Sequence, residues 1–276
     1  MMLRKLAPGL FWMHVAALVL GLWGVLIAIP HADWWTHPNE LGAFSWGLQR
    51  GGAIGMVTGA LAMLAWGGWA IGWRRTLAFA VISCAVSAAA ELTGTKTGWP
   101  FGGYEYQSFL GWKIMGRVPY GVPLSWFYMG FAAYALALAS PLRGASRGWN
   151  AVLLAAWLLT AWDLVLDPAM AALPQIRFWV WHEHGPYFGM PLRNLAGWFL
   201  TGLAYIGLSR LAWRDDPAID AAAARLPLAV YVANVAWALV LAASAGLWLA
   251  AVLALAFAFA PLVLLAKGAP EAPRAA

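Results

Sequence analysis

Long runs of almost uncharged, apolar residues recur along the chain, separated by short segments of Pro, Gly and charged residues. As a helix, about 20 apolar residues cross the ~30 Å hydrocarbon core of a bilayer. The first run is too long for a signal-peptide core and no small-residue cleavage site closes it, so it is read as a span. The pattern predicts spans near residues 10–30, 51–72, 76–92, 119–141, 149–171, 190–212, 225–245 and 247–266.

The fold class that follows is all-α, a polytopic transmembrane helical bundle with about eight spans. Residues 1–266 are expected to form a single integral membrane domain, and residues 267–276, rich in Ala and Pro, a short disordered tail. Composition agrees, because 63% of the residues are apolar and only 10% are charged. A soluble domain needs a charged surface, and this chain has too few charges to make one.

The basic residues indicate an orientation in the membrane. The net charge of +6 is spread in small clusters at span ends and makes no stripe, which argues against a nucleic-acid partner. If the N-terminus is cytoplasmic, eleven of the 17 Lys and Arg residues lie on the inner side and six on the outer side. We therefore expect both termini in the cytoplasm and the protein in the cytoplasmic (inner) membrane.

Two long segments between predicted spans, residues 93–118 and 172–189, are rich in aromatic residues and fall on the outer side of this topology. Trp and Tyr are common at membrane interfaces, so an aromatic belt is one interpretation. The other is a cap over the mouth of a cavity, with glycines allowing tight turns.

Three acidic residues lie inside predicted spans: Glu91, Asp163 and Asp167. Each costs at least ~2.5 kcal/mol at a bilayer centre, so each needs a partner or a function. At ~1.5 Å per residue, Glu91 and Asp163 reach the outer third of the membrane. Arg193 and Asn194 open the sixth span at a similar depth. The sequence thus predicts one polar layer beneath the aromatic loops.

The spacing of Asp163 and Asp167 places both carboxyls on one face of a helix. One protonated acid beside one carboxylate is the expected state of such a buried pair. Pro168 should disfavour helical geometry at Asp167 and free the carbonyl of Leu164. The structural alternative is an acid pair held by Arg193, Arg177 or Lys96 to fix helix packing.

Metal chemistry has weaker support in the sequence. His182 and His184 flank Glu183 in a Gly-Pro-rich segment, which favours a surface loop over a metal site. The Asp163/Asp167 spacing is similar to half of the metal–diphosphate site of membrane prenyltransferases, but a second acidic motif is missing. We expect no metal and no other cofactor.

Several stretches in order resemble the CruF-type carotenoid biosynthesis family, the membrane carotenoid 1,2-hydratases and bisanhydrobacterioruberin hydratase-like proteins. The likeness covers roughly residues 85–205. The stretches that carry it are ELTGTKTGWPFGGYEY at 91–106, VPYGVPLSWF at 118–127, WDLVLDPAM at 162–170, WVW at 179–181, YFGMPLRN at 187–194 and GW at 197–198.

The resemblance implies that the enzyme is a hydro-lyase, which adds water across the terminal C=C bond of a ψ-end group in an acyclic or monocyclic carotene. The product is a tertiary 1-hydroxy carotenoid. Asp163 and Asp167 are assigned as the acid and water-activating pair, with Glu91 as a third polar wall or the acid itself. The expected substrate-binding residues are Trp99, Tyr104, Tyr106, Trp126, Trp162, Arg193, Asn194 and Trp198.

Two other classes of function stay open at this point. One is a non-catalytic binder or transporter of carotenoid or another isoprenoid lipid, and the other is an isomerase or prenyltransferase acting on isoprenoids. The expected partners are a long apolar carotenoid, the lipid bilayer and other enzymes of carotenoid biosynthesis.

Overall fold

The computed structural model describes residues 2–141 and 147–267, and within them the chain folds into a helical bundle. Seven helices are long and apolar enough to cross a membrane, and an eighth occupies the last predicted span. The helices are α1 Met2–Trp23 (continued by a π-helical turn, Gly24–Ala28), α2 Pro38–Ala70, α3 Trp73–Thr97, α4 Gly121–Ala139, α5 Arg147–Ala172, α6 Arg193–Trp213, α7 Arg225–Ser244 and α8 Trp248–Lys267. The all-α polytopic prediction is confirmed.

Helix α2 begins 13 residues before its predicted start at residue 51. The true start is marked by a capping box, in which the His37 N–H bonds the Glu40 carboxylate at 3.3 Å, and by Pro38 in the first turn. Residues 38–50 include Asn39, Glu40, Gln49 and Arg50, so the apolar run that predicts a span begins only after them.

The bundle is organised around α4. In its most apolar stretch 83% of α4 residues are buried, against 11% for α1, so α4 is the central helix and α1 is peripheral. Helices α2, α3, α5 and α7 all pack against α4. Helix α8 ends at Lys267, and the rest of the predicted tail lies outside the described residues.

The two aromatic segments meet in a cap at one end of the bundle. Strand β1 (Tyr104–Tyr106) pairs antiparallel with β4 (Trp179–Trp181), and β2 (Lys113–Ile114) pairs with β3 (Val118–Pro119). Since alternate side chains of a strand point to opposite faces, all four aromatic side chains at the ends of β1 and β4 share one face, while Glu105 is exposed. These short sheets are the only extended elements among the described residues.

Candidate functional site

A cavity of about 950 Å³, including its open mouth, lies beneath the cap and within the bundle. Its wall is mostly apolar and aromatic, with the side chains of Glu91, Asp167 and Asn194 among its few polar groups. Asp163 lies behind Asp167, fully buried. The predicted substrate-binding residues that line the cavity are Tyr104, Tyr106, Trp126, Trp162, Asn194 and Trp198.

Two predicted binding residues lie elsewhere. Trp99 is 69% exposed and is not part of the cavity wall. Arg193 forms an ion pair with Glu183, with both side chains about half exposed. The acids therefore do not use Arg193 as a counter-ion, and in the described part of the chain no Lys or Arg hydrogen-bonds Asp163 or Asp167.

Glu91, near the end of α3, accepts hydrogen bonds from three side chains. Its Oε2 accepts from the hydroxyls of Tyr104 and Tyr106, the latter at 2.9 Å, and its Oε1 accepts from the Trp126 indole at 2.9 Å. All three partners donate to Glu91. An ionised carboxylate has acceptors and no donor, whereas a protonated carboxyl also carries an O–H donor. The arrangement suits a carboxylate rather than a carboxylic acid.

The strand geometry of β1 supplies two of these donors. Tyr104 and Tyr106 are buried on the inward face of β1, with exposed Glu105 between them. Burial, reinforced by the nearby Glu91 charge, raises the pKa of both phenols well above its ordinary value. Both hydroxyls therefore stay protonated and able to donate at neutral pH.

Asp163 and Asp167 form a second carboxyl site on α5. Their carboxyls lie within hydrogen-bonding reach of each other, and the Asn194 amide donates to both, to Asp163 Oδ2 at 2.9 Å. The Asp163 Oδ1 atom is buried and has no hydrogen-bond partner among the described residues. One acid beside one carboxylate stays the prediction for this pair, because two carboxyls this close can hold one proton between them.

Helix α5 continues through Pro168 to Ala172, so the predicted loss of helical geometry at Asp167 is wrong. Proline does remove a helical hydrogen bond to the carbonyl of Leu164. The hydroxyl of Tyr187 from the cap donates to this carbonyl at 2.8 Å. The Leu164 carbonyl is thus satisfied by a residue of the cap. This hydrogen bond links the cap to α5 beside the acid pair.

Three tryptophans build the aromatic wall around the acids. Trp126 and Trp198 stack at 4.0 Å between ring centroids, and Trp162 meets Trp198 edge-on at 5.9 Å. Tyr205 donates to the backbone oxygen of Trp126 at 3.1 Å and packs against its ring. These contacts fix the indole that donates to Glu91.

Sequence reasoning missed a second polar network at the cavity wall. The Asn234 amide nitrogen donates to His14 Nε2 at 3.0 Å, and its oxygen accepts from the Tyr128 hydroxyl at 3.0 Å. His14 Nδ1 donates to the Gly55 carbonyl at 2.8 Å. The available signal was a lone Asn in the middle of an apolar span, since such residues are costly in lipid.

Trp179, which hydrogen-bonds Asp167, was also missed.

No group of three or more His, Cys, Asp or Glu side chains with the spacing of a metal site occurs within residues 2–141 and 147–267. His182 lies at the surface, with its Nε2 3.8 Å from a carboxylate oxygen of Glu105. The predicted surface-loop position of this segment is therefore correct.

Comparison with known proteins identifies the family of this chain. Over 118 residues the chain is 40% identical to bisanhydrobacterioruberin hydratase of Haloarcula japonica, covering 42% of this chain and 38% of that protein. No solved structure is significantly similar. The sequence profile described as "Carotenoid biosynthesis protein" matches residues 51–261, which contain the whole acid layer and most of the cavity. This integral membrane protein therefore belongs to the carotenoid biosynthesis protein family.

Proposed function

We propose that this protein hydrates the terminal C=C bond of a ψ-end group in an acyclic or monocyclic carotene, giving a tertiary alcohol. The observation that carries the proposal is the pairing of two carboxyl sites in one apolar cavity. One site is a close carboxyl pair that can hold a proton between its members, and the other accepts three hydrogen bonds, as a carboxylate does. The name of the Haloarcula relative supports a hydratase, although the match spans only 38% of that protein.

Protonation of the alkene is the first step. Asp167 lines the cavity while Asp163 lies behind it, so Asp167 is the group that can touch the substrate. It transfers the shared proton to the less substituted carbon of the double bond. The π electrons form the new C–H bond, and the other carbon becomes a tertiary cation.

The cation is stabilised by charge and by aromatic faces. The Glu91 carboxylate lines the same cavity, and proton transfer leaves a second negative charge on the Asp pair. The rings of Trp126, Trp162 and Trp198 surround this region, and indole faces attract cations by up to ~2 kcal/mol when water is excluded. Stabilisation of charge that develops in the transition state accelerates the reaction.

Water then attacks the cation. Asn194 lines the cavity and its amide lies against both acids, so it is the polar group that orients the water beside the cation. The water oxygen forms the C–O bond and releases one proton, which returns to the Asp163/Asp167 pair. Atoms and charge balance, and the pair regains its starting state.

The experiment that tests this function is expression in a host that accumulates an acyclic carotene, followed by mass analysis of its pigments. We expect a product heavier by one water with the wild-type chain and none with Asp167→Asn. Unchanged pigment that copurifies with the protein would instead identify a carrier. A product of unchanged mass would identify an isomerase.

The proposed orientation places the cap and the acid layer on the outer side of the cytoplasmic membrane, with both termini in the cytoplasm. Single cysteines at Gln107 and Gln175 in a Cys84→Ala background report this directly, because both positions lie in the cap segments. A membrane-impermeant thiol reagent should label both from outside intact cells. Labelling of either only after the cells are opened would reverse the topology.

A further inference from the structure

A second cavity, of about 1190 Å³ including its open mouth, lies at the end of the bundle opposite the cap. It is lined by the first residues of α1, the last residues of α2 and the residues around the start of α7. On α2, Gly52 lies against Leu110 of the cap, while the second cavity begins at Trp66, 14 residues further along the same helix. At ~1.5 Å per residue the two regions are ~20 Å apart. The second cavity shares no lining residue with the proposed hydration site and is separate from it.

Two arginines line this second cavity, Arg4 on α1 and Arg225 at the start of α7, and both residues are exposed. The Arg4 guanidinium lies over the Trp69 ring, 5.5 Å from its centroid. Neither arginine forms an ion pair within the described part of the chain. The Asp220 carboxylate also lines the cavity, and it accepts the Ala223 N–H at 2.7 Å. Two positive side chains and one negative side chain leave the cavity with a net charge of +1.

Other arginines at this end of the bundle are neutralised within the chain. Arg75 lies 2.6 Å from a carboxylate oxygen of Asp215, and Arg210 lies 3.1 Å from one of Asp216. These pairs join helix ends to the segment that follows α6. The two arginines of the second cavity have no such carboxylate partner, so their charges are available to a group from outside the chain.

The remaining wall of the second cavity is apolar and its shape is fixed. Trp66 is buried, and its indole N–H donates to the Ala223 carbonyl at 2.8 Å, which joins α2 to the segment before α7. The neighbouring surface is apolar as well, because Leu6 of α1 and Leu228 of α7 are exposed close in sequence to the two arginines. A ligand in this cavity therefore meets cationic side chains at the end of the spans and an apolar helix surface beside them.

We propose that the second cavity binds the headgroup of an anionic phospholipid from the surrounding leaflet. The guanidinium groups of Arg4 and Arg225 donate to the phosphate oxygens, a pairing that suits the planar fork of arginine. The acyl chains lie along the apolar surface of α1 and α7. Basic cavities between transmembrane helices recognise such headgroups. The choline of a zwitterionic lipid cancels the phosphate charge, so a site of positive charge prefers phosphatidylglycerol to phosphatidylcholine.

Thermal unfolding of delipidated protein in detergent, with phosphatidylglycerol or phosphatidylcholine added, tests the site. The cavity variant is Arg4→Ala/Arg225→Ala. Its matched control is Lys5→Ala/Arg74→Ala, which removes two charges from exposed residues at the same end of the bundle that do not line the cavity. We expect phosphatidylglycerol to raise the unfolding temperature of wild type and control by about 5 °C more than phosphatidylcholine does. This difference should largely disappear in the cavity variant.

Equal stabilisation of wild type by the two lipids would overturn the site. Loss of the difference in both double variants would overturn it as well, since it would show a general attraction of the lipid to surface charge. Inorganic phosphate that stabilises wild type as much as phosphatidylglycerol would identify a free-anion site instead of a lipid site. Each variant is compared with itself across the two lipids, so its own change in stability does not enter the result. The measurement needs no turnover, so it is independent of the proposed hydration.

Discussion

Two carboxyl sites border the same cavity, yet their surroundings differ. Glu91 on α3 is met by three separate donors, two phenols and an indole. Asp163 and Asp167 on α5 lie against each other and share one amide donor, that of Asn194. Both sites are almost completely buried, so burial alone does not distinguish them.

The two sites differ in their hydrogen-bond donors and not in their depth. Three donors satisfy the lone pairs of an ionised carboxylate and so favour that form. Two adjacent carboxyls with few donors are stabilised by holding a proton between them. In the proposed reaction the Asp163/Asp167 pair is the proton source and Glu91 is the fixed negative charge.

Asp167→Asn should have the largest effect. The amide keeps the shape of the side chain but cannot deliver the shared proton, so we expect turnover to fall by ~10²–10⁴. Product formation per folded protein in detergent measures it. The matched control is Asp33→Asn, at an exposed acid outside the cavity, which should behave as wild type. Near-normal turnover by Asp167→Asn would show that the pair is structural.

Glu91→Gln should have a smaller effect on turnover and a clear effect on stability. Its amide group must face donors, so at least one buried donor loses its partner at ~1–3 kcal/mol. Turnover should fall by ~10–10² because the fixed charge is lost. Tyr106→Phe, which removes one donor and leaves two, should fall between Glu91→Gln and wild type in thermal stability. If Glu91→Gln abolishes turnover while Asp167→Asn does not, the two roles are exchanged.

Tyr187→Phe should be milder still, because it removes the hydroxyl that satisfies the Leu164 carbonyl but leaves both acids in place. We expect a loss of ~1 kcal/mol in stability and little change in turnover. Burial raises the Tyr187 pKa to about 12, so the hydroxyl remains a donor at neutral pH. The stability that the Tyr187 hydrogen bond contributes should be present below pH ~10, the ordinary pKa of a tyrosine. It should be lost as the pH rises through about 12. Thermal unfolding of both proteins between pH 7 and 12 measures this.

Arg193→Ala should have the smallest effect. Arg193 pairs with Glu183 at the surface and not with the buried acids, and exposed ion pairs contribute only ~0–1 kcal/mol. Unfolding temperature and turnover should both stay close to wild type. A large loss of folded protein would mean that Arg193 reaches the acids after all.

Much of this arrangement could be read from the sequence because lipid penalises charge. Glu91, Asp163 and Asp167 stood out as acids inside apolar runs, and the aromatic segments on one side of the membrane indicated where they would meet. The carbonyl freed by Pro168 was also predictable, since it follows from the covalent structure of proline.

Partners were harder to predict than positions. The donors to Glu91 come from a strand whose inward face depends on pairing with β4, 75 residues further along the chain. Arg193 sits next to Asn194 in sequence, yet a helix turns successive side chains ~100° apart, and only Asn194 faces the acids. The early start of α2 was missed because its exposed first turns, beyond the cavity, are not apolar throughout.

The origin of the new hydroxyl oxygen distinguishes water addition from oxidation by dioxygen. Purified protein in detergent should convert an acyclic ψ-end carotene in ¹⁸O- and deuterium-labelled water, without dioxygen, nucleotide or added metal. We expect a product with the solvent oxygen in its hydroxyl and one solvent hydrogen on the adjacent carbon. Oxygen label arriving from dioxygen, or activity lost under strict anaerobiosis, would contradict it.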